Sequence, residues 1–262
     1  MPTASFLDLG GRKAVIDCGI GVTRSLVQAG VSLKELDLVF ITHLHSDHVL
    51  ELGALLHTAW TTGLAGPVTV FGPPGIETYW RGFLDAMVFD NSIRVADEGR
   101  TPLQELVTVK TYGEGEVLAE AGYRVTALRV DHPPVKDCCA LRFEAAGRSV
   151  VFSADTTYFP PLAAFARGAD LLVHEAMLAA GVETLVRRTG LGDKLRRHLH
   201  ASHTKAADAG RIARAAGVGR LLLHHLVPAD DPAFGPADWL AEVAGEWDGP
   251  VTLGHDGLEI AF

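Results

Sequence analysis

Thr42-His43-Leu44-His45-Ser46-Asp47-His48 directly follows an apolar run at residues 38–41. That run is short, continuous and apolar, so it reads as a buried strand. In the extended residues at its end, side chains two apart point to the same side. His43 and His45 can therefore converge on one ion. A turn just after them presents Asp47 and His48 to a second ion nearby. Three neutral imidazoles and a carboxylate suit Zn²⁺, which takes such ligands at ~2.0–2.2 Å. Four potential ligands in six residues at a strand end are too dense for a loop that merely contains histidine. Mixed nitrogen and oxygen donors do not separate zinc from manganese or iron.

The composition around this stretch narrows the classes. The chain has 262 residues, of which 48% are hydrophobic and 21% charged, enough to bury a core as one large domain or two small ones. No apolar run approaches the roughly 18–20 residues of a membrane helix. The opening MPTASFLDLGGRK lacks a basic flank before a long apolar core, so no signal peptide is expected. Three cysteines make no disulfide scaffold. Reduced, buried thiols in a cytoplasmic protein are the expectation. The formal charge of −9 disfavours extended contact with nucleic-acid phosphate, because that affinity comes largely from Lys and Arg. Twelve His is a high count and a reason to look for metal.

Strand-like runs alternate with helical ones. Strands are predicted at 14–17, 38–41, 68–71, 123–130, 138–144, 149–153, 171–174, 221–224, 250–253 and 258–262. Helices are predicted at 22–29, 50–61, 75–87, 205–216 and 236–245. The short turns between 123 and 153 suggest antiparallel pairing there. The expected class is α/β, with two mixed sheets sandwiched by outer helices in one domain over 1–262.

The His-x-His-x-Asp-His stretch after a strand resembles the signature of the metallo-β-lactamase superfamily. Further ordered segments resemble its ribonuclease Z branch. Val15-Ile16-Asp17-Cys18-Gly19 is similar to a "DCG" strand-turn, and Phe71-Gly72-Pro73-Pro74-Gly75 to a "YGPxG" turn. Ser153-Ala154-Asp155-Thr156 is similar to "SGDT", His174-Glu175-Ala176 to "HEA", and His203-Thr204 to "HS/T". Gly217-Val218-Gly219-Arg220-Leu221, leading to His225, resembles the last ligand strand. The resemblance implies an αββα sandwich with metals at one edge between the sheets.

The resemblance also implies a ligand set for two Zn²⁺. His43, His45 and His132 would bind the first ion. Asp47, His48 and His225 would bind the second, and Asp155 would bridge both. His224 rivals His225, since strand neighbours face opposite ways; the motif register favours His225. Two ions ~3.5–4 Å apart lower the pKa of a shared water towards neutrality, and that hydroxide would be the nucleophile. Asp47 could orient it. By the same resemblance His203 is the general acid, with Glu175 behind it to raise its pKa and hold its tautomer.

Three departures bear on substrate. Bacterial ribonuclease Z grips tRNA with a long arm inserted between the third His ligand and the bridging Asp. Here His132 and Asp155 are only 23 residues apart, filled by two predicted strands and a turn. The first family strand is expected to be shortened or missing, because few residues precede Ala14. The segment 184–205 carries six basic residues and one acidic one, a formal +5 inside an acidic chain. Arg187, Arg188, Arg196 and Arg197 could make it a lid that attracts an anionic substrate; a solvated helix face is the plainer account. The expected function is a dinuclear zinc hydrolase acting on a small, anionic ester, with a phosphodiester or sulfate ester favoured. Alternatives are tRNA 3′-end cleavage, hydrolysis of a lactone, carboxylic ester or amide, and a non-enzymatic metal-dependent binding protein. The last would need a missing ligand, and none is missing. A small-molecule substrate and no membrane are expected, and the resemblance suggests a homodimer.

Overall fold

The computed structural model describes residues 2–64 and 66–262. The chain folds as two compact units, Pro2–Gly113 and Glu114–Phe262.

The first unit holds a five-stranded sheet in the order β1-β2-β3-β4-β5. Its strands are β1 (Ser5–Leu9), β2 (Arg12–Ile16), β3 (Leu38–Phe40), β4 (Val68–Gly72) and β5 (Val107–Thr111). The β1/β2 pair is an antiparallel hairpin, and the other pairs are parallel. The expectation that the first strand is shortened or missing is therefore corrected. A complete hairpin turns at Gly10 and Gly11, whose φ angles of 60° and 77° suit glycine. Helices α1 (Val22–Gln28), α2 (Ser46–Val49), α3 (Leu52–Thr61), α4 (Ile76–Ala86), α5 (Val88–Glu98) and α6 (Leu103–Leu106) complete the unit. In α3, Leu52, Leu55, Leu56 and Ala59 recur at helical spacing and are buried. They join Val39, Ile41 and Val70 in one core cluster.

The second unit holds a seven-stranded sheet in the order β12-β11-β10-β9-β8-β7-β6. The strands are β6 (Gly115–Glu120), β7 (Tyr123–Arg129), β8 (Cys139–Ala145), β9 (Arg148–Phe152), β10 (Leu171–Met177), β11 (Leu221–Val227) and β12 (Val251–Leu253). Strands β6 to β9 pair antiparallel, and for β7 to β9 the short turns predict it. Strands β9 to β12 pair parallel. Its helices are α7 (Pro161–Phe165), α8 (Ala179–Thr189), α9 (Gly192–Ser202), α10 (Ala206–Ala216) and α11 (Pro236–Ala244). Residues 258–262 form no strand, against the sequence expectation.

Strand direction decides where chemistry can collect. In this sheet β7 and β8 are antiparallel, and so are β8 and β9, so β7 runs with β9, β10 and β11. Their C-terminal ends share one sheet edge, the edge at which open α/β sheets present their loops to ligands. His132 lies just beyond β7, Asp155 just beyond β9, and Glu175 and His225 near the C-terminal ends of β10 and β11.

Candidate functional site

In the first unit, β2 and β3 are parallel neighbours, so Asp17 and Thr42 emerge side by side. Asp17 has φ 61°, a left-handed conformation that Asp tolerates better than most residues. Its Oδ1 accepts the Thr42 N–H at 2.8 Å, and its Oδ2 accepts the His48 Nδ1–H at 2.8 Å. That bond puts the lone pair of His48 on Nε2, 4.0 Å from Asp47 Oδ2. His43 Nε2 and His45 Nδ1 are 3.1 Å apart. The backbone fixes this loop as well. The Cys18 N–H donates to the His48 carbonyl at 2.6 Å and the Thr3 N–H to the Asp47 carbonyl at 2.9 Å. A Cβ on Gly19 would sit 2.3 Å from the Asp47 carbonyl oxygen, so only glycine allows this approach.

In the second unit, the buried Asp155 carboxylate lies between two rings. Its Oδ2 is 3.5 Å from His225 Nε2 and 4.0 Å from His132 Nε2. The His132 Nδ1–H donates to the Ser202 carbonyl at 2.8 Å, which directs the Nε2 lone pair to the other side of the ring. Asp155 follows Ala154, whose φ is 56°. The related motif carries glycine there, and alanine keeps the turn at a cost of about 1 kcal/mol. His225 is the extra residue of a β-bulge: Glu175 pairs with His224 and Ala176 with Leu226. With φ 44°, the bulge re-aims His225. Period-two alternation cannot rank His224 against His225 because the ladder is broken there.

His203 ends α9 and is nearly buried. Its Nδ1 lies 3.2 Å from both oxygens of Glu175. Glu175 Oε1 also accepts the N–H groups of Thr156 at 2.9 Å and Thr204 at 3.2 Å. Burial pushes the Glu175 carboxyl up and His203 pulls it back. The fixed carboxylate places the His203 proton on Nδ1 and aims Nε2 away from Glu175. The rings of His203 and His225 stack at 5.8 Å. Donor atoms of Asp155, His203 and His225 lie within 4.8 Å of one another.

These donors fit a divalent metal. A tetrahedral site with ~2.0–2.2 Å bonds has ligand–ligand edges of about 3.4 Å. The separations of 3.1 Å between His43 and His45 and of 3.5 Å between His225 and Asp155 match that edge. Each ring with a hydrogen-bonded nitrogen presents its other nitrogen as the donor, as metal-binding histidines do.

The four arginines sit on α8 and α9, the helical hairpin that delivers His203. Arg188 pairs with Asp230 at 2.8 Å, and Arg196 grips Glu183 at 2.7 and 2.9 Å and also Asp193. Arg187 donates to Thr184 Oγ1 at 3.2 Å, and Arg197 is exposed. Two of the four are thus held by surface carboxylates. Cys18, Cys138 and Cys139 are free and buried, and burial pushes the Cys139 thiol up to about 11.

Sequence reading missed Asp17, Ser202 and the two threonine amides as supports of the site. A signal existed for Asp17 in the match that precedes the histidine stretch. The backbone groups of Ser202, Thr156 and Thr204 carry none, since every residue offers them. Asp17→Asn is expected to lower metal affinity about 10–100-fold, because an amide N–H would face the His48 N–H. Titration with a chromogenic zinc chelator measures it; unchanged affinity would remove Asp17 from the site.

His174 is fully buried, its Nδ1–H donating to the Glu175 carbonyl at 2.7 Å. Burial lowers its pKa from 6.5 to about 4. Between those values the unfolded chain takes up a proton that the folded chain refuses. Stability therefore falls as pH drops from 6.5 to 4, by about 3 kcal/mol from this residue. Denaturant melts across that window should flatten in His174→Phe; an unchanged slope would assign the loss to other groups.

A model of the β-lactamase superfamily domain matches residues 12–226, and the chain belongs to that family. It is a metal-dependent hydrolase of the metallo-β-lactamase fold, with the two mixed, helix-flanked sheets of that class. A ribonuclease Z of Mycobacterium bovis strain BCG is 32% identical over 250 residues, covering 94% of this chain and 87% of the relative. A ribonuclease Z of Mycobacterium marinum is 34% identical over 254 residues, with the same coverages. Among solved structures, the metallo-β-lactamase fold protein YhfI from Bacillus subtilis superposes with a TM-score of 0.70 at 24% identity, covering 98% of this chain and 90% of that one. Human tRNase Z, short form, gives 0.68 at 18% identity, covering 99% and 92%. These two structural likenesses carry the fold alone.

Proposed function

We propose that this chain hydrolyses a small phosphodiester with two bound zinc ions. His43, His45, Asp47 and His48 of the first unit and His132, Asp155 and His225 of the second would be the ligands. A bound metal ion of this kind supplies a Lewis acid and a water of lowered pKa. Asp47 holds the attacking water. His203 gives a proton from Nε2 to the departing alcohol oxygen, and Glu175 stabilises the charged ring at Nδ1. The observation that supports this reading is the His203–Glu175 pair beside Asp155 and His225. A proton donor matters most when the leaving group is a poor one, as an alkoxide leaving phosphorus is.

The small size of the substrate is supported by the hairpin between His132 and Asp155. Strands β8 and β9 are joined there by only Ala146 and Gly147, with φ 52° and 74°, both positive as in a tight primed turn. A specific observation favours a second reading, RNA 3′-end cleavage. The relatives that share about a third of this sequence are named ribonuclease Z, and the match takes in most of their length.

The test is a panel on zinc-loaded protein: bis(p-nitrophenyl) phosphate, an aryl sulfate, a lactone, a β-lactam and precursor tRNA at low salt. The expected result is about two zinc per chain and a kcat/KM for the phosphodiester at least about tenfold above the other small substrates. Faster cleavage of precursor tRNA would install the second reading, and folded protein that takes up no metal would overturn both.

A further inference from the structure

The stretch that carries His132 reads Asp131-His132-Pro133-Pro134. Neither proline has an N–H, so at these two positions the backbone offers only carbonyls. A neighbour that holds the stretch there must supply the donor. Just beyond β9, the Thr157 N–H donates to the Asp131 carbonyl at 2.8 Å. At the end of α9, the Ser202 hydroxyl donates to the Pro133 carbonyl at 2.5 Å. His132 thus sits between two tethered carbonyls. A carbonyl only accepts, so the single hydroxyl proton of Ser202 goes to Pro133. Ser202 Oγ is then an acceptor for His198 Nδ1, which lies 3.3 Å away, one turn earlier on α9.

The backbone of Ser202 adds a second hold. The last four carbonyls of a helix have no partner within it. That of Ser202 accepts the His132 Nδ1–H at 2.8 Å. One residue therefore grips two points of the stretch, the His132 ring and the carbonyl that follows it. Two points fix an orientation, where one fixes only a distance. Ser202 is fully buried, so water does not compete for either bond. The next residue is His203, whose N–H donates to the Leu199 carbonyl of α9 at 3.0 Å. Its ring centre lies 5.5 Å from that of His132. We infer that Ser202 is a positioning residue whose hydroxyl locks the His132 stretch to the end of α9. It thereby sets the aim of His132 Nε2 and, through the same helix end, the place of His203. One serine then serves both the metal site and the proton donor. The inference rests on the roles given to those two histidines under the proposed function.

The test is Ser202→Ala, which keeps the carbonyl and deletes the hydroxyl. Asp131 stays tethered to Thr157, so the variant is expected to fold. Competition against a chromogenic chelator should show zinc bound about tenfold more weakly than by wild type. With zinc saturating, kcat for an alkyl phosphodiester should fall about tenfold, and clearly less for bis(p-nitrophenyl) phosphate, whose leaving group departs without a proton. Ser202→Thr, which keeps the hydroxyl, should regain both. A merely structural role would lower the melting temperature and move neither readout. Unchanged zinc affinity in Ser202→Ala, or equal losses with the two leaving groups, overturns the inference. A second measurement does not depend on the variant. Long-range ¹H–¹⁵N spectra of metal-free wild type labelled with ¹⁵N-histidine should show His132 and His198 protonated on Nδ1. A His198 proton on Nε2 would mean that the Ser202 proton goes to His198 and not to Pro133, which also overturns the inference. Folded wild type that takes up no zinc overturns the metal reading itself.

Discussion

Asp155→Ala is expected to lose turnover by about three orders of magnitude or more, together with most of its bound metal. The magnitude follows from the several kcal/mol that metal-ion catalysis contributes. Asp155 is 2% exposed and lies between the rings of His132 and His225. Without its carboxylate, imidazoles collected at one sheet edge lose the negative charge that offsets a cation. The backbone around it is held independently, since the Cys138 thiol donates to the Asp155 carbonyl at 3.3 Å and the Thr157 N–H to that of Asp131 at 2.8 Å. The variant should therefore fold, and its metal content can be read by atomic emission alongside its kinetics. Wild-type metal content with turnover within tenfold would remove Asp155 from the centre.

His203→Ala should behave differently, keeping its metal while turnover of an alkyl phosphodiester falls by about 10²–10⁴. The loss should shrink with a p-nitrophenolate leaving group, which departs without a proton. Glu175→Gln should follow the same pattern at smaller amplitude. It keeps an acceptor for His203 Nδ1 but removes the charge that supports the protonated ring, and its amide leaves one acceptor oxygen for the three donors now aimed at the carboxylate. Equal losses with both leaving groups would show that His203 positions the substrate or the metal and does not deliver a proton.

Most of the fold could be read from apolar runs and glycine stops. Helix α1 ends before Gly30 and α10 before Gly217, both at positive φ, as their sequences predict. Helix α5 escaped because it buries no residue, so no core-facing run marks it. Strand β5 escaped because this edge carries polar residues at three of its five positions, and β6 because its apolar run is only three residues long. In the site, dense local patterns were legible, and the His43–His48 stretch needed no partner to be noticed. What holds those side chains was not legible. Asp17 meets His48 from 31 residues away, and Ser202 meets His132 from 70.

The hairpin that joins β8 to β9 also bears on where the chain tolerates added length. Its tip is two residues of primed turn, with Ala145 paired to Arg148 and the ladder intact behind it. Chain added at such a tip costs chiefly loop closure, which grows only with the logarithm of its length. A substrate-gripping extension could be gained or shed there without moving His132 or Asp155, each anchored at the far end of its strand. Chain length at that one turn is thus uncoupled from the chemical apparatus at the other end of the strands.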